Sequence, residues 1–302
     1  MTVYNRFLWI SDIASKKQGF LNFLVKEEAK LRTEYWTKRI HDKKFVKYLS
    51  VEKIEDARSE LYRAKKNMGD IGASAMETAF LVDFIYNSNK IEGSKIPREN
   101  VEKKVREGNK KNDEVGNTLK ALYYLDSKFT FKISHIKKLH ATLLAHEPEK
   151  FGFRKERVIV GNSQLSAEVA DWKDINIRLQ QLLDWLQDAS KTWYPPELAF
   201  SFYYKFERIH PFIDGNGRIG RLIMNKILKD HRYHPMIIWN RRRQAHLTAF
   251  ESYVKGQKEK FFKFMAEEFI KTHKIYIEKI QKAFDLEKQL NYFIEPSEYN
   301  LD

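Results

Sequence analysis

The sequence predicts an all-α fold, a helical bundle carrying one small β-hairpin, and three observations support it. Apolar residues recur at the three- and four-residue spacing of helix faces through most of the 302 residues. No proline occurs before Pro97. One stretch of about residues 157–165, in which the β-branched run Val158-Ile159-Val160 is followed at once by Gly161, Asn162 and Ser163, carries the short-hairpin signal. Cysteine is absent, which excludes disulfides and thiolate metal sites.

Taken in order, residues 1–72 hold helical periodicity in Phe20, Leu21, Phe23 and Leu24, then in Leu31, Tyr35, Trp36 and Ile40. They read as an N-terminal helical extension of two or three helices without a catalytic constellation. Gly69 and Gly72 bracket a break and set the boundary. Ala73 to Tyr86 reads as a buried helix, and beyond it Ser88 stands four residues before Glu92, with Gly93 next. One helical turn lets the hydroxyl and the carboxylate face the same way, although a helix end capped by glycine explains the pattern equally well.

A lysine-rich connection leads to a helix around Leu119, Leu122 and Tyr123. His135, His140 and His146 follow at intervals of five and six, where two metal ligands on one helix face need four, so they read as structural or exposed. After the hairpin, helix returns between Asp171 and Gln187, and Pro195-Pro196 marks a stop before a helix starting near Glu197. That helix is apolar on nearly every side and runs into His210. Past residue 230, Met236 to Trp239 forms a short apolar segment, a helix begins near Gln244, and Phe261 to Leu290 reads as one long amphipathic stretch.

The chemistry concentrates in His210 to Asn225, HPFIDGNGRIGRLIMN. Gly215 and Gly217 let the backbone take unusual conformations and let a ligand approach it closely. Helical spacing begins right after them, which places Gly215 to Arg218 at a helix N-terminus, a ready anion site. Arg218 and Arg221 sit three apart on one face, and guanidinium forks match phosphate oxygens. The inferred ligand is a polyphosphate. Asp214 beside it would repel phosphate unless a cation intervened, Mg²⁺ being the usual mediator, and His210 can take a proton near neutral pH.

This string resembles the Fic family signature, H-P-F-x-[DE]-G-N-G-R-x-x-R, and matches every defined position. The resemblance implies a Fic-type helical bundle spanning about 73–270, with 271–302 as a C-terminal helical tail. It implies transfer of AMP from ATP to a serine, threonine or tyrosine of a target protein. His210 would be the general base and Asp214 would bind Mg²⁺. Gly215, Asn216 and Gly217 would hold the α- and β-phosphates, and Arg218 and Arg221 the β- and γ-phosphates. Ser88, Glu92 and Gly93 are similar to the family's inhibitory motif, [ST]-x-x-x-E-[GN], on a helix over about 86–93. By that likeness Glu92 would pair with Arg221 and keep it from the γ-phosphate. The hairpin matches the place of the family's flap, so Val158, Ile159 and Val160 are the expected positioners of the target segment. Relatives often carry R-x-x-Y where this chain has Arg243-Gln244-Ala245-His246, which leaves the adenine-recognising residue open.

Fifty-five Lys and Arg against 41 Asp and Glu leave a formal charge of +14. Acids interleave with the lysines, as in Lys26-Glu27-Glu28 and Lys258-Glu259-Lys260, and that is the pattern of solvated helix faces. Part of the excess can attract ATP or an acidic target. No apolar run approaches the roughly 20 residues a membrane span needs, and the N-terminus lacks a signal-peptide shape, so the expected location is cytoplasmic. Three rival readings stand. Members of the family remove AMP with the inhibitory glutamate aligning a water, which would be Glu92 here, and others transfer phosphate or phosphocholine; the third reading is a basic nucleic-acid binder with an inactive Fic core. Dimers often tune glutamate inhibition in relatives, so a homodimer joins the expected partners.

Overall fold

The computed structural model describes residues 18–40, 46–108, 111–158 and 169–294, and among them no strand forms. The hairpin expected from residue 157 falls mostly on 159–168, so Ile159 and Val160 lie outside the described residues, while Val158 is in irregular backbone. The helices are α1 (Gln18–Thr37), α2 (Val46–Leu49), α3 (Val51–Lys66), α4 (Gly69–Ile91), α5 (Arg98–Arg106) and α6 (Glu114–Ser127). They continue as α7 (Ile133–Leu143), α8 (Ile175–Ala189), α9 (Pro195–Ile209), α10 (Asn216–Asp230), α11 (Arg243–Val254) and α12 (Lys258–Ile294).

At the centre lie α9 and α10, which pack against each other. Nearly every residue of α9 is buried, as its all-round apolar sequence requires. Pro195 and Pro196 form its first turn, where a missing N–H costs nothing, so the two prolines open the helix that they were expected to precede. Gly220 lets the pair approach closely, since a Cβ there would lie 2.8 Å from the Tyr203 ring. The loop His210–Gly215 joins the two helices and thereby rests on the most buried part of the molecule.

Two expected boundaries fall inside helices. α4 runs without interruption through Gly72, the turn before it lying at Asn67 and Met68, and α12 runs through residue 270. A glycine inside a helix costs only about 1 kcal/mol against alanine, which packing readily offsets. The N-terminal helices are also built into the rest: α3 packs on α1 and on α12. The fully buried Glu55 of α3 accepts from Arg32 Nε at 2.6 Å, from Tyr194 at 3.0 Å and from Tyr233 at 2.6 Å. It therefore ties the extension to the start of α9 and to the segment after α10. Burial first, then the Glu55 charge, push both phenols above their ordinary pKa.

Removing the carboxylate would leave a guanidinium and two buried phenols without their acceptor. Glu55→Ala is expected to destabilise the fold by about 3–5 kcal/mol, read from the urea midpoint, and Glu55→Gln by less because an acceptor remains.

Candidate active site

The loop between α9 and α10 is held by its own side chains before any ligand arrives. Asn216, first in α10, accepts from the Phe212 N–H at 2.9 Å and donates to the Phe212 carbonyl at 2.8 Å. Its amide thus closes the loop on itself. Gly215 precedes it at φ 81°, a conformation that suits glycine. His140 of α7 stacks on the Phe212 ring, centroids 3.7 Å apart, and donates Nε2–H to the Asp214 carbonyl at 3.0 Å. Burial lowers its pKa to about 4, so near neutral pH the ring is uncharged. Of the three histidines grouped by spacing, this one builds the loop, a role that the intervals gave no means to see.

His210 itself ends α9 in the left-handed region, φ 48° and ψ 61°. A residue with a Cβ pays roughly 1–2 kcal/mol there. What over-determines the turn is Arg154, 1% exposed, whose Nε donates to the His210 carbonyl at 2.7 Å. The same guanidinium reaches the carbonyls of Glu156 and Ala170, and the Arg154 N–H donates to Pro211 at 3.0 Å. Sequence reading passed over Arg154, because nothing in Gly152-Phe153-Arg154 marks an arginine as buried.

Charges surround the loop. Asp214 Oδ1 accepts from the Gly215 N–H at 2.5 Å and from Arg218 at 3.2 Å, while Oδ2 accepts from Lys150 at 3.0 Å. Burial alone would raise its pKa, but Lys150 and Arg218 outweigh this and hold the carboxyl below the usual value. Lys150 also pairs with Glu147 at 2.8 Å and was not anticipated. Arg218 approaches Glu114 as well, at 4.0 Å.

On the other side, Arg221 is 2% exposed. It donates Nε to Ser88 Oγ at 3.0 Å, and its terminal nitrogen to the Ser88 carbonyl at 3.0 Å and to Glu92 at 2.7 Å. Burial opposes its charge, yet Glu92 and Tyr203 outweigh burial and raise the pKa. Glu92 caps the C-terminus of α4, and Gly93 turns the chain away at φ 96°. A Cβ on Gly217 would lie 2.2 Å from Glu92 Oε1, so the carboxylate rests against the first turn of α10. An anion is favoured there by the free N–H groups and the helix dipole. Arg243 Nε donates to the Ile91 carbonyl at 2.9 Å and so holds the same helix end.

A cavity of about 430 Å³ opens over these groups. Glu92, His210, Asp214, Gly215, Asn216, Gly217 and Arg221 line it, whereas Ser88, Gly93 and Arg218 do not. Leu247, Phe250 and Val254 of α11 and Ile213 of the loop give it apolar lining. His246 also lines it, but its Nε2 lies 3.2 Å from the Tyr203 hydroxyl, and burial lowers its pKa to about 3. Among the described residues no three or more His, Asp or Glu side chains cluster as a metal cage.

The Fic/DOC family model matches residues 130–228. A protein adenylyltransferase Fic from Drosophila willistoni is 32% identical over 238 residues, 74% of this chain and 45% of that protein. Its counterpart from Drosophila melanogaster is 29% identical over 241 residues, 75% of this chain and 48% of that protein. The chain thus spans less than half the length of these curated relatives. Among solved structures, a Fic domain containing signaling protein from Bacteroides thetaiotaomicron aligns with a TM-score of 0.63 at 21% identity, covering 75% of this chain and 98% of that one. Fic-1 from C. elegans aligns at 0.60 and 18% identity, covering 93% of this chain and 99% of that one. The fold is shared with both.

Between pH 6.5 and 4 the unfolded chain takes up protons that His140 and His246 refuse in the folded state. Stability, followed by urea midpoints, should therefore fall as the pH drops through that window, and less steeply in His140→Asn, whose amide can still donate to the loop.

Proposed function

We propose that this chain, which carries a Fic/DOC domain, is a protein adenylyltransferase that moves AMP from ATP to a serine, threonine or tyrosine hydroxyl of a target protein. The observation that carries the reading is the convergence, in one cavity, of His210, Asp214, the α10 N-terminus and an arginine already holding a carboxylate. The likeness in sequence to proteins named adenylyltransferases supports it.

In this mechanism His210 takes the proton of the target hydroxyl as that oxygen attacks the α-phosphorus. The bond from the α-phosphorus to the bridging oxygen breaks on the opposite side, and pyrophosphate leaves. The N–H groups of the first turn of α10 receive the phosphate oxygens, and Gly217 lets them come close. Asn216 serves the loop's shape, its amide being engaged with Phe212. Asp214 would hold Mg²⁺: a single carboxylate beside an anion cradle suits an ion that completes its shell with water and substrate phosphates, and Lys150 already places a positive charge on Oδ2. When bound, the ion neutralises phosphate charge. Arg218 reaches Asp214 from behind and would steady it, and the apolar lining from Leu247 and Phe250 suits the base.

Glu92 is the restraint in this reading. Arg221 cannot give its fork to a γ-phosphate while it holds Glu92 and Ser88. ATP that enters then binds without that contact, and in an unproductive pose.

ATP labelled at the α-phosphate or at the γ-phosphate tests this. Label should reach protein from the α-position alone, rise about tenfold or more in Glu92→Gly, since each 1.4 kcal/mol of lost restraint is worth a factor of ten, and vanish in His210→Ala. Transfer of label from the γ-position would refute the assignment.

A further inference from the structure

His210 needs one imidazole nitrogen free to accept a proton and the other held. Its Nδ1 is buried and makes no hydrogen bond to any described residue. The nearest acceptor is Glu207 Oε2, 3.7 Å away and one helical turn earlier, on a side chain as buried as the histidine's own, 14% against 15% exposed. That separation is about half an ångström to an ångström beyond hydrogen-bond length, a gap that side-chain rotation closes. The other carboxylate oxygen, Oε1, is buried without a partner, and a Cβ on Gly220 would lie 3.1 Å from it. Gly220 therefore makes the space in which the Glu207 carboxylate sits between α10 and the histidine ring. Both residues line the cavity. With Nδ1 turned to Glu207, Nε2 is the nitrogen left to face it.

We propose that Glu207 is a positioning residue for His210: its carboxylate accepts Nδ1–H, fixes the neutral ring in the tautomer whose Nε2 lone pair faces the cavity, and so aims the base at the incoming hydroxyl. An imidazole whose orientation and tautomer are set by a carboxylate is a recurring device of proton-transferring sites. Glu207 stands outside the HPFIDGNGRIGR string, so the role belongs to the wall of α9 and not to the loop. The chemistry rests on the adenylyltransferase reading above, whereas the hydrogen bond does not.

The test has a spectroscopic and a kinetic arm. In protein with ¹⁵N-labelled histidine at neutral pH, with His210 assigned by its loss in His210→Ala, Nδ1 should carry the proton and Nε2 should not. Glu207→Leu should lose that preference and Glu207→Gln, which keeps an acceptor, should retain it. In the Glu92→Gly background, Glu207→Leu should lower kcat for transfer of α-labelled AMP by about 10²-fold, while KM for ATP stays within about twofold and Glu207→Gln recovers most of the rate. A wild-type ring protonated at Nε2 would overturn the proposal, as would a Glu207→Leu variant with unchanged spectrum and kcat. If the parent transfers no AMP, the adenylyltransferase reading fails, and the tautomer pattern of wild type and Glu207→Gln still decides the role of Glu207.

Discussion

A guanidinium that is almost wholly removed from water has to be satisfied on every side, and much of this structure is arranged around that requirement at Arg221. Its charge is buried between α4 and α10, so its partners have to come from the protein. Ser88 supplies a hydroxyl and a carbonyl, and Glu92 supplies the counter-charge. For the carboxylate to arrive, the first turn of α10 must lack a side chain at Gly217, and the end of α4 must stop where it does, which Gly93 permits. The buried charge thus explains the glycine positions and the register of two helices together. In the proposed function that partnership is exchangeable, another anion of suitable shape at the same helix N-terminus taking the place of Glu92.

The described helices were largely legible because their apolar spacing is strong. The loop was legible for a different reason: Gly215, Asn216 and Gly217 have few other uses next to a histidine, an aspartate and two arginines. The spacing of Ser88 and Glu92 placed both on one face, but the resemblance was needed to pair that face with Arg221. What could not be read are contacts that join distant segments. Arg154 clamps the His210 turn from 56 residues away, His140 pins Asp214 from 74, and Lys150 meets the same aspartate from 64. Each is an ordinary residue locally, and only the folded chain gives it a task. Gly72 and Pro195 misled for the opposite reason, since helix breakers are tolerated where packing or the first turn absorbs them.

Glu55 illustrates how an extension can be structural without being catalytic. Its carboxylate collects the start of α9 and the segment after α10, the two elements whose other ends define the loop. The platform under His210 therefore includes residues from the first 72, although none of the described ones lines the cavity.

The anchoring of α4 has a mechanical consequence. Asp83, in its middle, is pinned by Arg98 at 2.7 Å, Lys279 at 2.7 Å and Tyr276 at 2.8 Å. Asn87 accepts from the Asn240 N–H, and the Ile91 carbonyl accepts from Arg243. A rod fixed at three levels does not slide or tilt as a unit. Glu92, 32% exposed at its side chain, can leave Arg221 by rotating about its own bonds, a motion that needs no rearrangement of helices. In the proposed function, freeing the arginine then turns on the electrostatics of one carboxylate and not on the packing of helices.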